Sequence, residues 1–309
     1  MKRISVRRAL PIVIVLMAAM IAIPALAGDL APKFKPGDKS SYVQTMDLTM
    51  SLTMFGSTLG EAKTTRTIAF DREILKKDSE GHNRMQITIK SVQIEETAPG
   101  ETPVSYDSTK AADPSTPEQH LYAQLLKKPV IVVLNDKMDV FKIEGSDEIL
   151  AAAKAKLTAP EDKDALQSEF DSLFADTKDI GALVNVRDID PEKKVKPGDS
   201  WEKIWGGEMV DADRMTALIT LKSKEGDIST VDYSVKTDEL KKMLETPANP
   251  GDPPTKVDRL KIEGNVDFNT KKGRVQKSTD LIDMAMSVGE GDQVMMSMSI
   301  TATINLQAK

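Results

Sequence analysis

Cysteine is absent from the 309 residues. That rules out disulfide staples, thiolate metal sites, a cysteine nucleophile and an acylated lipoprotein cysteine, so stability has to come from buried apolar area. Histidine is nearly as scarce, with His82 in a turn segment, Glu80-Gly81-His82-Asn83, and His120 far from it in sequence. Neither has a second histidine at metal-ligand spacing, and both read as solvated surface residues. Aromatic residues make up 4% of the chain, a thin supply for sugar-stacking platforms. Basic residues are outnumbered, 42 Lys and Arg against 48 Asp and Glu, for a net charge of −6. An acidic chain is a poor partner for a phosphate backbone, so nucleic acid is excluded as a partner class. Charge attraction to anionic lipid headgroups is disfavoured too, unless a local basic patch supplies it. Neither a G-x-G-x-x-G stretch nor a phosphate loop ending in Lys-Ser or Lys-Thr is present, and nucleotide chemistry lacks its usual parts.

Only one long hydrophobic run exists, and it stands at the N-terminus. Lys2, Arg3, Arg7 and Arg8 make a basic start, an apolar stretch follows from Ala9, and Ala25-Leu26-Ala27 places small residues at the cleavage-reading positions. The expectation is a signal peptide over residues 1–27, cut before Gly28, and an exported protein, periplasmic or extracellular. A retained membrane anchor is the alternative, opposed by Pro11 and Pro24 within the stretch. After cleavage no stable membrane anchor is expected. Loss of the four basic residues takes the net charge from −6 to about −10.

Beyond residue 27 the dominant signal is side-chain alternation with period two, the mark of half-buried strands. Tyr42, Gln44, Met46, Leu48, Met50, Leu52 and Met54 alternate with mainly Ser, Thr and Asp. Val294, Met296, Met298, Ile300, Ala302, Ile304 and Leu306 do the same near the C-terminus, and Ile282, Met284, Met286 and Val288 supply a hairpin partner through Gly289-Glu290-Gly291-Asp292. Leu260, Ile262, Val266 and Phe268 form a further strand, turned back at Asn269–Gly273. Met85, Ile87 and Ile89 run out of phase with Val92 and Ile94, which predicts a β-bulge at Lys90 or Ser91.

Helical patterns are few and central. Thr116-Pro117 with Gln119 has the cap, first-turn proline and capping-box spacing of a helix start, with Leu121, Tyr122, Leu125 and Leu126 on one face. After a hairpin of Val130–Leu134 and Met138–Ile143, Ser146-Asp147-Glu148 opens a second helix, expected to run through Leu157. Leu166, Phe170, Leu173 and Phe174 mark a third, with Ile180 and Leu183 as a further turn. The stretches Thr97–Pro117 and Thr246–Thr255 read as long surface loops. The organisation is then a single β-rich domain over 28–309, with β halves at 32–145 and 192–308 around a helical segment at 146–184. Lys35-Pro36-Gly37-Asp38 and Lys196-Pro197-Gly198-Asp199 each lead into a strand. They pose an internal duplication against independent use of a common turn, and both readings stay open.

Constellations with catalytic chemistry do not assemble. Ser200-Trp201-Glu202-Lys203 has S-x-x-K spacing but begins a strand, and the accompanying S-D-N and K-T-G elements are missing. Asp188-Ile189-Asp190-Pro191-Glu192 has the odd carboxylate spacing of a calcium loop, yet Lys193 stands where glycine is needed and Asp199 where glutamate is. It reads as a solvated acidic turn, as does Asp211-Ala212-Asp213. No catalytic residue, metal ligand or cofactor is assigned.

Methionine is what the chain has in unusual places. On strand faces where valine and isoleucine are the usual residues, an unbranched thioether can fill a core or line an adaptable apolar cavity. Met46, Leu48, Met50, Leu52, Met284, Met286, Met296, Met298 and Ile300 are the candidate cavity residues. A core filled with flexible side chains is the plainer alternative, and thioether binding of a soft metal is a third, opposed by the regular strand positions.

The basic N-terminal leader, Phe34-Lys35-Pro36-Gly37-Asp38 entering a Ser/Thr-alternating strand, the helical centre, Lys196–Trp201 and a closing strand-turn-strand together resemble a group of uncharacterised exported bacterial β proteins. In layout the chain also resembles periplasmic lipid carriers of the LolA and LppX type. That resemblance implies a curved antiparallel sheet cupping helices around an apolar cavity. Such carriers often bear a lipobox cysteine, which is missing here, and none of their site motifs maps onto particular residues. The fold expected is α+β, mainly antiparallel, a curved sheet or half-barrel in two β-rich halves with a central helical segment. The leading functional expectation is a non-enzymatic protein holding lipid or another apolar small molecule between sheet and helices. A structural or interaction protein of the cell envelope with a solid core and an unknown protein partner comes second, an uncharacterised hydrolase third.

Overall fold

The computed structural model describes residues 24–25, 30, 33–110, 113–134, 140–174, 187–188, 191, 194–205, 215–246, 253–290 and 293–309. The expected signal segment lies outside them but for Pro24 and Ala25. So do Met138, Ile180, Leu183, Asp211–Asp213, the Gly291-Asp292 half of the last hairpin turn, and most of the Asp188–Glu192 segment.

Twelve strands form one curved, open, antiparallel sheet. In chain order they are β1 (Lys39–Met54), β2 (Ser57–Ile74), β3 (Asn83–Thr97), β4 (Val104–Asp107), β5 (Val130–Leu134), β6 (Val140–Glu144), β7 (Ser200–Trp205), β8 (Met215–Glu225), β9 (Ile228–Lys236), β10 (Thr255–Asn269), β11 (Arg274–Glu290) and β12 (Gln293–Ala308). The spatial order is β6-β5-β3-β2-β1-β12-β11-β10-β9-β8-β7, with β4 added beside β3. Strands β6 and β7 are left as edges, so the sheet does not close into a barrel. Among the described residues four helices accompany it: α1 (Pro117–Leu125), α2 (Ser146–Lys154), α3 (Pro160–Phe174) and α4 (Asp238–Glu245). The first three pack on one another and α1 touches β3, while α4 lies against β10.

Period-two alternation is what decides which way each strand faces. Along β1, Tyr42, Gln44, Met46, Leu48 and Met50 are buried while Asp47 between them is exposed. Val92 and Ile94 share the buried face of Met85, Ile87 and Ile89 because Ala69 pairs with Ser91 and Phe70 with Ile89, leaving Lys90 as the extra residue of a bulge. The expected hairpin of β11 and β12 forms, with Met284 opposite Ile300 and Met286 opposite Met298.

The helix starts follow their caps. Thr116 Oγ1 accepts from Gln119 N–H at 3.3 Å, and Gln119 reaches back with Oε1 to Ser115 N at 2.8 Å, one residue before the cap itself. Helix α2 starts after Gly145 but stops at Lys154, short of Leu157. Lys156 N and Leu157 N bond to carbonyls only three residues back, which tightens the last turn, and Pro160 then opens α3. Two elements depart from the sequence reading. Strand β4 lies inside the expected Thr97–Pro117 loop, paired to β3, and α4 is a helix the apolar periodicity did not announce, since Leu240 is its one buried residue.

The two Lys-Pro-Gly-Asp turns are built alike. In the first, Gly37 N donates to Ile74 O at 2.7 Å, Asp38 N to Lys35 O at 3.0 Å, and Ile74 N to Asp38 O at 2.9 Å. In the second the matching bonds run to Leu221 and Lys196, at 2.7, 3.0 and 3.1 Å. The first turn feeds a central strand and the second an edge strand.

Candidate functional site

A cleft of about 530 Å³ opens where β1 and β11 begin and β2 and β10 end. Two turns shape it. The Lys35–Asp38 turn is clamped to the end of β2, which lays Phe34 and Lys35 over the sheet's margin. Facing it, the β10–β11 turn is closed by Asn269 Oδ1 accepting from Lys272 N at 2.8 Å. The turns are tied together by Lys33: its N–H donates to Gly273 O at 3.1 Å and its ammonium to Thr270 O at 2.8 Å. Gly273 has φ +61°, and a Cβ there would fall 2.5 Å from Lys33, so both conformation and contact demand glycine.

Charge in this cleft runs against the composition of the chain. Lys33, Lys35, Lys39, Arg72, Lys271, Lys272 and Arg274 line it, against the single carboxylate of Asp38. Its apolar lining is Phe34, Tyr42, Ile74, Met85, Phe268 and Val275. Arg72 is buried with its guanidinium 4.5 Å from the centre of the Tyr42 ring, a stacked cation. Burial pulls its pKa down, against a smaller opposite pull from Tyr42. Lys39 is paired to Glu73 at 3.0 Å, and Arg274 donates to Lys39 O at 3.0 Å while its Nε is buried without a hydrogen-bond partner. Cations converging on an apolar floor can hold an anionic head with an apolar body attached.

None of the nine methionine-face candidates lines this cleft. The structure does bring all nine together, on the three neighbouring strands β1, β12 and β11, with Ile300 between Met50 and Met284 and Met298 between Leu52 and Met286. Met46, Leu48, Met50, Met284 and Ile300 are buried, and Leu52, Met286, Met296 and Met298 are half-buried. Ser200 is exposed at the start of β7, sharing a hydrogen bond with Thr220 at 2.8 Å. His82 Nδ1 lies 2.9 Å from Asp78, and its ring sits 4.6 Å from that of Phe141.

A buried ionic cluster was not foreseen. Arg66 of β2, 6% exposed, reaches Glu169 of α3 at 2.6 Å and Glu118 of α1 at 3.3 Å, and Tyr122 donates to Glu169 at 3.0 Å. It fastens two helices to the sheet. Burial alone would lower the Arg66 pKa, but Tyr122, Glu169 and Glu118 more than offset it and the net shift is upward. One guanidinium cannot balance two carboxylates, so Glu118 is raised to about 8, first by burial and then by Glu169, with Arg66 opposing. Because its folded pKa lies above the unfolded one, its stabilising share is full below the ordinary carboxylate range and is lost as pH rises through about 8. Glu118→Gln is therefore expected to flatten that loss and to be more stable than the parent above pH 8 by about 1–3 kcal/mol, read from urea unfolding at acid and alkaline pH. An unchanged pH dependence would remove Glu118 as its source.

Among the described residues, no helix is long and apolar enough to cross a membrane. Residues 80–309 match the model of a family described as of unknown function, DUF6263. No curated protein matches the chain. Among solved structures, lipovitellin, described with its lipid–protein interactions, is 13% identical at a TM-score of 0.47 over 90% of this chain and 25% of its own, so the chain spans about a quarter of that protein. DynF from the dynemicin biosynthesis pathway of Micromonospora chersina is 8% identical at a TM-score of 0.22, over 92% of this chain and 88% of its own. An outer membrane channel from Pseudomonas putida F1 is 6% identical at 0.21, over 90% and 97%. At such TM-scores these likenesses carry no weight for function.

Proposed function

This chain belongs to DUF6263, a family of unknown function, and for it we propose a non-enzymatic role, exported to the periplasm or beyond, in binding an anionic amphiphile. The observation that carries this reading is the cleft, where seven cations and one carboxylate surround an apolar floor in a chain that is acidic overall. A carboxylate or phosphate head sits among Lys271, Lys272 and Arg274, and the apolar part lies on Phe34, Tyr42 and Phe268. The volume, about 530 Å³, falls in the range of small-molecule pockets.

The test is a titration with dodecanoate, dodecyl phosphate and dodecanol, read by displacement of a fluorescent fatty-acid probe. Both anions are expected to bind at least about tenfold more tightly than the alcohol, equivalent to about 1.4 kcal/mol. Lys271→Glu with Lys272→Glu is expected to erase that preference without unfolding the protein, since both side chains are exposed. Equal binding of acid and alcohol, or no binding, sinks the proposal. No binding favours the second reading, a structural or interaction protein with a solid core, which has its own support: Met50, Met284 and Ile300 are 1–2% exposed, so the middle of the methionine face is filled.

A further inference from the structure

We propose that the end of the sheet where β1 turns into β2 and β11 approaches β12 is a docking lip for an uncharged lipid surface. The lip goes beyond the cleft, from which it is separated by the length of 16-residue strands, roughly 50 Å at about 3.4 Å per residue.

Charge is the first argument. Residues 48–60, 284–289 and 293–308 contain no Asp, Glu, Lys or Arg, in a chain of which 29% is charged. They fall on β1, the start of β2, β11 and β12, which are neighbours, so both faces of these stretches are neutral, and the carboxylates of Glu290 and Asp292 are confined to the residues that join β11 to β12. Of the charges flanking this region, six are paired: Glu61 with Lys63 at 3.4 Å, Lys256 with Asp258 at 2.8 Å, Arg259 with Asp283 at 2.7 Å. Bringing an unpaired charge to an apolar boundary is costly, and apart from Glu290 and Asp292 this end presents little to desolvate.

Exposure is the second. Phe55 is 71% exposed, Val294 56% and Leu59 43%, half of the large hydrophobic residues exposed among those described. Phe55 N donates to Met295 O at 2.8 Å, which fastens the hairpin tip beside Val294. Leu59 is the extra residue of a bulge, since Leu52 pairs with Gly60 and Thr53 with Thr58. Behind them the half-buried Leu52, Met54, Met296 and Met298 lead back to the filled part of the face.

The third is backbone strain. Phe55 has φ +48° and Gly56 φ +75°, the signs of a type I′ turn, whose first central position suits Asn, Asp or Gly. Phenylalanine there strains the turn, and its ring gains almost no burial in return. An external apolar contact accounts for it. A lipid surface fits better than a second copy or a polar partner: the strand stretches carry no charge to set a register, thioether chains adapt to acyl chains, and the outer face carries the hydroxyls of Thr53, Ser287 and Ser297 for headgroups and water.

Because the chain has no cysteine, single labels can be placed on the full-length protein. An environment-sensitive dye at Ser57→Cys, on the exposed start of β2, is expected to shift to the blue with neutral phosphatidylcholine vesicles, and to do so in high salt. The same dye at Lys271→Cys, on the cleft, is expected not to shift. Adding Phe55→Asn to Ser57→Cys relieves the turn, so the fold is retained or strengthened, yet the lipid concentration needed for half the shift should rise about tenfold or more. No shift at Ser57, an equal shift at both sites, or an undiminished shift with Phe55→Asn overturns the lip. A shift that appears without vesicles as protein concentration rises also overturns it, in favour of self-association. A signal confined to Lys271 with anionic vesicles supports the cleft and not the lip, so the two proposals fail separately.

Discussion

Replacing Arg66 by alanine is expected to cost about 3–5 kcal/mol, the range for removing one partner of a buried ion pair. Glu169 is 7% exposed and Glu118 18% exposed, and both would lose the cation that faces them. Tyr122 would remain as a donor to Glu169, but a phenol does not supply the missing positive charge. Arg66→Met combined with Glu169→Leu should recover most of the stability, since an apolar pair of similar volume often does as well as an ionic one. Urea unfolding of the three proteins at neutral pH measures all of this. A cost under about 1 kcal/mol for Arg66→Ala would mean that the cluster is solvated and does not hold α1 and α3 to the sheet.

Gly264→Val is expected to be nearly as damaging, about 3 kcal/mol or more, through crowding and a lost hydrogen bond. Gly264 stands on β10 between Tyr233 of β9 and Asp280 of β11, and the Tyr233 ring crosses over it to bring its hydroxyl within 2.5 Å of the Asp280 carboxylate. A Cβ at Gly264 would fall 2.6 Å from Thr279 O and 2.7 Å from the Tyr233 ring. Backbone on one side and a held aromatic on the other leave no room to give. Tyr233→Phe separates the terms, removing the bond without crowding, and should cost about 1.5–3 kcal/mol. In thermal melts, Gly264→Val close to the parent would show that the ring is free to move aside.

Much of the sheet was legible because its signal is local. The faces of β1, β11 and β12, the bulge at Lys90 and the cap at Thr116 each follow from residues within a few positions of one another. Strand β4 and helix α4 were missed for the complementary reason: Tyr106 is the one buried residue of the first and Leu240 of the second, so neither has a stripe to read. The cleft was out of reach, because its cations come from residues 33–39, 72 and 271–274, which only the strand order brings together. Its charge was also masked by an acidic total. The Arg66 cluster did leave a trace. Arg66 occupies the inward phase of β2 between Thr64 and Ile68, and a charge on an inward position calls for a buried counterion, although nothing nearby in sequence says which.

The placing of β1 beside β12 has a consequence for how the molecule assembles. Pairs from Met54–Met296 to Tyr42–Ala308 join stretches of chain some 240 to 270 residues apart, and this seam lies in the middle of the sheet. Closing so long a loop is entropically slow, and until it happens each half carries an unsatisfied strand margin where the other should dock. The central seam can therefore zip only once β12 has joined the β1 strand that lies so far upstream of it, and a chain still without that pairing is the state most open to aggregation or to capture by a chaperone.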